Sequence, residues 1–224
     1  MTAGGLRRGP GLLDRPGIVA VALGVARTAG LDAVSMRRVA DELGRSPMSL
    51  YRHVADRQAL VLAMLDAVAA QIVLPVPVED PRAEITGVLH AAHDAMGADA
   101  WVVTALVRDG LASPLVLPAV ERLFAAPARA GLVGEAALGA HQLIWEFAYG
   151  ELLVSHHDRP DAWNKTMMRE SDPARYPALH AALRAAATPP AERFGQHLQI
   201  LLDGLLGCSP PVAATPAHGP SATG

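Results

Sequence analysis

Apolar residues recur at helical spacing along most of the chain, and the first clear stripe is Ile18, Ala22, Val25, Ala26 and Ala29. It opens at Pro16 and ends at Gly30. Ser35 then offers an N-cap to a second helix whose buried face is Val39, Ala40 and Leu43, and Gly44 stands where a left-handed C-cap belongs. Ser46-Pro47 opens a third helix of about two turns, with Pro at the first helical position, where its missing N–H costs nothing. Only Leu50 and Val54 of that helix fall on an apolar face, so Met48, Ser49, Tyr51, Arg52 and His53 are left to face outward. Asp56 caps a fourth helix from Arg57 into the low seventies, with Leu60, Met64 and Val68 as its stripe. Val34 and Met36 are expected to seal the far end of this small core.

Residues 74–81, LPVPVEDP, cannot be helical and form the clearest internal linker. Beyond them the pattern predicts helices over 82–97 (Ile85, Leu89 and Met96 inward), around 101–108, over 114–128 behind a Ser113 cap, and over 134–157. Residues 161–172 are polar and read as a loop, and helices follow over 173–187 and 190–207. The stretches 138–154 and 194–206 are apolar on more than one face, which demands either deep burial or a subunit interface.

Composition narrows this picture to an all-α protein. Half of the 224 residues are apolar, yet only 4% are aromatic, which suits closely packed helices. Net charge is −3, but it is unevenly spread: residues 1–66 carry nine Arg against six acids, and the remainder carries ten basic against sixteen acidic groups. A mildly basic head on an acidic body suits a DNA-binding domain attached to a sensing or dimerising one. Cys208 is the single cysteine, which excludes an intrachain disulfide. With no hydrophobic signal core in the first ten residues and no bilayer-length apolar run, the expectation is a soluble, cytoplasmic protein that needs no membrane.

The Ser35-Met36-Arg37 start, the Ala40-x-x-Leu43-Gly44 turn, Leu50-Tyr51-x-His53-Val54 and the Asp56 cap stand together in register. Over residues 15–66 this run resembles the helix-turn-helix of TetR-type transcriptional regulators. The resemblance implies a three-helix DNA-binding domain at 14–66 and a larger helical ligand-binding and dimerisation domain at 67–207. A disordered arm (1–13) and a disordered tail (208–224) would flank them. It further implies a homodimer, built through helices near 134–157 and 190–207, that binds a double-stranded operator and is released by a small-molecule effector. On this reading Arg52 occupies a base-reading position, where an arginine can grip guanine O6 and N7. Tyr51 and His53 fall where the family holds phosphate, Pro47, Met48 and Ser49 lie at the helix start, and Arg37 and Arg57 are further phosphate candidates. Arg7 and Arg8 in the arm either touch DNA or belong to a solubilising tail.

Within the second domain, Trp101, Thr104, Trp145, Phe147 and Tyr149, with His93, His141 and Gln142 as polar anchors, are candidate cavity residues; the alternative for each aromatic is plain core. No phosphate-binding glycine loop, nucleophile elbow or HExxH motif is present, so no catalytic residue, cofactor or metal is assigned. His90 and His93, one turn apart, and His156-His157-Asp158 are the two constellations weighed for metal and set aside. The competing class is a helical binding protein or enzyme that does not use its DNA face.

Overall fold

The computed structural model describes residues 13–156, 159, 161–185 and 190–207. Residues 1–12 of the arm, the tail with Cys208, and His157-Asp158 lie outside the described residues. Among those described there are eleven α-helices and no strand. None of the helices is long and apolar enough to cross a membrane.

The N-terminal elements follow their caps closely. Helix α1 (Arg15–Ala29) is capped by the Asp14 carboxylate, which accepts from Gly17 N. A 3-10 turn, Leu31–Ala33, leads to α2 (Met36–Glu42), where the Ser35 hydroxyl accepts from Arg38 N. Gly44, at φ 63°, then closes α2: its N–H bonds Asp41 O, and Arg45 N bonds Ala40 O at 2.9 Å. This paired closure needs a left-handed residue, which Gly supplies without steric cost. Helix α3 is shorter than its spacing predicts, Pro47–Leu50 followed by a turn through His53. Ser46 is extended as an N-cap should be, but its side chain makes no cap bond; instead the Ser49 hydroxyl donates back to Ser46 O. Asp56 caps α4 (Arg57–Ala69) by accepting from Ala59 N at 2.7 Å.

Helix α4 is buried on several faces, with Val61, Ala63, Leu65 and Ala69 joining the expected Leu60, Met64 and Val68. The reason lies in what surrounds it. One hydrophobic core runs from α1–α4 directly into Ala92 and Met96 of α5 (Pro81–Gly97), into α6 (Trp101–Val107), and on to Leu152 of α8 (Glu135–His156). A second core joins the N-terminal half of α5 to α7 (Leu117–Arg129), the middle of α8, and Phe194, Leu198 and Leu202 of α11 (Pro190–Gly207). Trp145 packs against both.

Residues 74–80 are non-helical, Pro81 opens α5 one residue inside the expected linker, and the linker is also tied to the body. Glu84, 3% exposed, accepts from Val78 N at 2.9 Å and from Arg122 Nε at 2.6 Å, while Arg122 Nη1 donates to Pro75 O at 2.7 Å. The hydrogen bond from Arg122 outweighs the opposing effect of burial and, helped by Val78 N, holds the Glu84 carboxyl below its usual range. The polar stretch 161–172 is a correction: Trp163–Glu170 is helix α9, followed by α10 (Pro177–Ala185). His180 Nε2 lies 2.8 Å from Ser171 O, which fixes the turn between them.

Candidate nucleic-acid interface and effector cavity

Helix α3 is held from behind by Leu50, 0% exposed, and Val54, 4% exposed. With those two residues in the core, the rest of the element is turned outward: Met48, Tyr51, Arg52 and His53 are all exposed, and Pro47 and Ser49 are half-buried. The side chains of Tyr51, Arg52 and His53 have no hydrogen-bond or ion-pair partner among the described residues. An exposed cation without a partner on a helix this short contributes little to the fold, and its guanidinium is free to bind. Arg37 lies at the start of α2, where its contact with Asp41 is 4.0 Å long and fully in solvent, too weak to occupy it. Ser49 has donated its proton to Ser46 O, which leaves it as an acceptor.

Arg57 differs from its sequence reading. Its Nε donates to Val34 O at 2.8 Å and its Nη2 to Leu31 O at 3.0 Å, so the side chain staples α4 to the 3-10 turn. Periodicity placed Arg57 correctly at a helix start. It could not reveal two main-chain carbonyls that lie more than twenty residues away and use those donors.

An apolar cavity, about 370 Å³, opens between α5, α6, α7 and α8, with Ile72 just past α4 and Val116 of the 3-10 turn also on its wall. One wall is α8, where His141, Trp145 and Tyr149 repeat every four residues and therefore stack along one face. The Trp145 and Tyr149 rings are 5.3 Å apart at 28°. His141 stacks on Phe124 at 4.1 Å, and its buried Nδ1 has no partner. Burial pushes its pKa down, so the ring is neutral near pH 7; burial likewise pushes Tyr149 up. Gln142 and Glu146 complete the polar lining, and Ile72, Met96, Val116 and Ala119 supply much of the apolar remainder.

Four of the eight candidate cavity residues, His141, Gln142, Trp145 and Tyr149, are thus brought together, and four are not. Trp101 is 3% exposed in the core, its indole N–H donating to Asp99 at 2.8 Å. His93 lies against Glu151 at 2.8 Å, stacks on Phe194 at 4.0 Å and does not line the cavity. Thr104 does not line the cavity, although Leu106 two residues on does. Phe147 is likewise core, stacked on Phe194 at 5.5 Å. His90 packs edge-on against the same Phe194 ring. Sequence reading missed Glu146; the i, i+4 step from Gln142 was the available signal.

Two contacts link this cavity to the N-terminal elements. Ser113 caps the 3-10 turn Pro114–Val116, which lines the cavity, and its hydroxyl donates to Asp66 of α4 at 2.6 Å. Asp99, 1% exposed at the α5–α6 corner, takes a forked bond from Arg27 of α1, at 2.7 and 2.8 Å. Burial alone would raise the Asp99 pKa, but the bonds from Arg27 and Trp101 outweigh it and hold the carboxyl below its usual range.

Comparison with known proteins agrees with this division of labour. Residues 18–64 match the family model for bacterial regulatory proteins of the tetR family, and residues 74–208 match the tetracyclin repressor-like C-terminal domain. The HTH-type transcriptional repressor DrrR1 of Streptomyces coeruleorubidus is 27% identical over 86% of this chain and 76% of its own length. An HTH-type transcriptional regulator of Saccharopolyspora erythraea is 28% identical over 87% and 85%. Among solved structures, the TetR family protein ActR of Streptomyces coelicolor, in complex with (S)-DNPA, superposes with a TM-score of 0.70 at 28% identity, covering 88% of this chain and 98% of ActR.

Proposed function

Because the chain belongs to the TetR family of DNA-binding transcriptional regulators, we propose that it is a repressor that grips a pseudo-palindromic operator as a homodimer and releases it when a small molecule fills the α8-walled cavity. The observation that carries this reading is the α3 face. Leu50 and Val54 anchor a helix whose exposed Tyr51, Arg52 and His53 have no partner within the described residues. Arg52 reads a guanine edge in the major groove, Met48 and Ser49 lie beside it at the helix start with Pro47, and Tyr51, His53 and Arg37 hold phosphates. Arg57 acts at one remove, by fixing the corner that orients α2.

Dimerisation through α8 and α11 is supported by apolar side chains left in solvent: Leu138, Leu143 and Val154 on α8, and Ile200 on α11, 69% exposed. A soluble monomer gains nothing from such a surface, whereas a partner subunit covers it. The dimer would set two α3 helices about one DNA turn apart, roughly 34 Å.

Release follows from the cavity's neighbours. Ile72 just past α4, Met96 of α5 and Val116 of the 3-10 turn all touch the space a ligand would fill. Displacing that turn moves Ser113 against Asp66 and hence α4, which shares its core with α1–α3. The ligand must bind the DNA-incompetent arrangement more tightly, and DNA must weaken ligand binding by the same factor. ActR, solved with (S)-DNPA, and DrrR1, a repressor, support the reading by likeness.

Selection of duplexes from a random pool by the purified protein tests the proposal. Wild type should enrich a palindrome, and Arg52→Ala should relax preference at one base pair per half-site. Enrichment of no sequence, together with no salt-sensitive DNA binding, would overturn it.

A further inference from the structure

The cavity carries a charge pattern as well as a shape. Among the described residues that line it, the only carboxylate is Glu146, which is exposed and has no partner among them, and none is Arg or Lys. His141 adds no positive charge, because burial favours its neutral ring. Trp145 and Tyr149, one turn apart and stacked with centroids 5.3 Å apart, make one aromatic stretch of the same wall. An anionic ligand would enter an apolar cleft with one carboxylate and no cation to meet it, which desolvation makes costly. A cation attached to a flat apolar body meets an aromatic stack and a carboxylate.

We propose that the effector is a lipophilic organic cation, an ammonium group on an aromatic body of about two or three fused rings, with Glu146, Trp145 and Tyr149 as its recognition set. The inference rests on the cavity's being the effector site and adds the charge class. Gln142 and the unpartnered His141 then offer hydrogen bonds to any polar group on the ring system.

Three compounds sharing one ring test it by calorimetric titration of the full-length protein: trimethyl(1-naphthylmethyl)ammonium, 1-naphthalenemethanol and 1-naphthaleneacetate. The cation should bind about tenfold more tightly than the alcohol, and the anion most weakly. Glu146→Gln should bring the cation down towards the alcohol while leaving the alcohol unchanged. Val120→Trp, which fills the cavity from α7, should abolish binding of all three. The inference is overturned by an anion that binds as well as the cation, by a preference that survives Glu146→Gln, by binding that survives Val120→Trp, or by binding of none of the three. Operator selection uses none of these compounds. A protein that selects an operator but ignores the cation refutes the charge class alone, and one that binds the cation but selects no DNA refutes the regulator reading alone.

Discussion

Helix α3 and helix α8 both leave side chains unused by the fold, but of opposite kinds. On α3 the unused groups are polar: Tyr51, Arg52 and His53 stand in solvent above two buried aliphatics. On α8 they are apolar or half-apolar. Leu138, Leu143 and Val154 face out, while Trp145 and Tyr149 line a cavity that their own subunit does not fill. A partner made of phosphates and base edges is matched by the first set. A second subunit or an aromatic effector is matched by the second. The contrast teaches that the unused surface of a helix describes its partner, provided the buried surface is known first.

The largest expected effect separates anchor from reader on α3. Leu50→Ala should cost about 2–5 kcal/mol in denaturant unfolding, since it empties a fully buried site. Arg52→Ala should leave stability within about 0.5 kcal/mol, since it removes an exposed and unpaired group. If Arg52→Ala destabilises as much as Leu50→Ala, the division between buried and outward faces is wrong.

Asp99→Asn should cost about 2 kcal/mol in the same assay, less than a fully buried ion pair because the Arg27 side chain is 45% exposed. The effect has a pH signature. Asp99 is held below its usual range in the fold, so its stabilisation is complete above the unfolded value near 3.9 and is lost as pH falls through the lower folded value. The variant's acid limb should therefore be flatter than that of wild type below about pH 4. Equal limbs would remove Asp99 from the α1 to α6 linkage.

Arg52→Ala should lose about 1–3 kcal/mol of discrimination at one base pair, read from competition binding, while Arg37→Ala should weaken all sequences alike and reduce the salt slope by about one. The smallest effect concerns the turn. Gly44→Ala should cost about 1 kcal/mol, because open space surrounds the site and only the left-handed φ of 63° opposes a side chain. A cost several times larger would mean the turn packs against something the geometry does not show.

Local signals made the N-terminal third legible. Ser35 and Asp56 cap the helices they were expected to cap, Gly44 turns the chain, and the Leu50 and Val54 pair fixes which side of α3 faces outward. Each of these is a matter of a few neighbouring residues, so a one-dimensional pattern contains it. The same pattern gave α8 a length and a helical period, hence the shared face of His141, Trp145 and Tyr149.

Tertiary structure alone decided what those faces meet. Trp101 and Tyr149 are both aromatics on apolar helices, yet one is spent on an Asp99 that Arg27 of α1 holds, and the other on a cavity whose further walls come from α5, α6 and α7. His93 went to Glu151 and Phe194, and Arg57 to the carbonyls of Leu31 and Val34, through contacts spanning more than twenty residues of chain. A helix buried on several sides has no polar face to orient it, so periodicity cannot rank its sides, and for α4 and α8 the packing of distant helices chose among them.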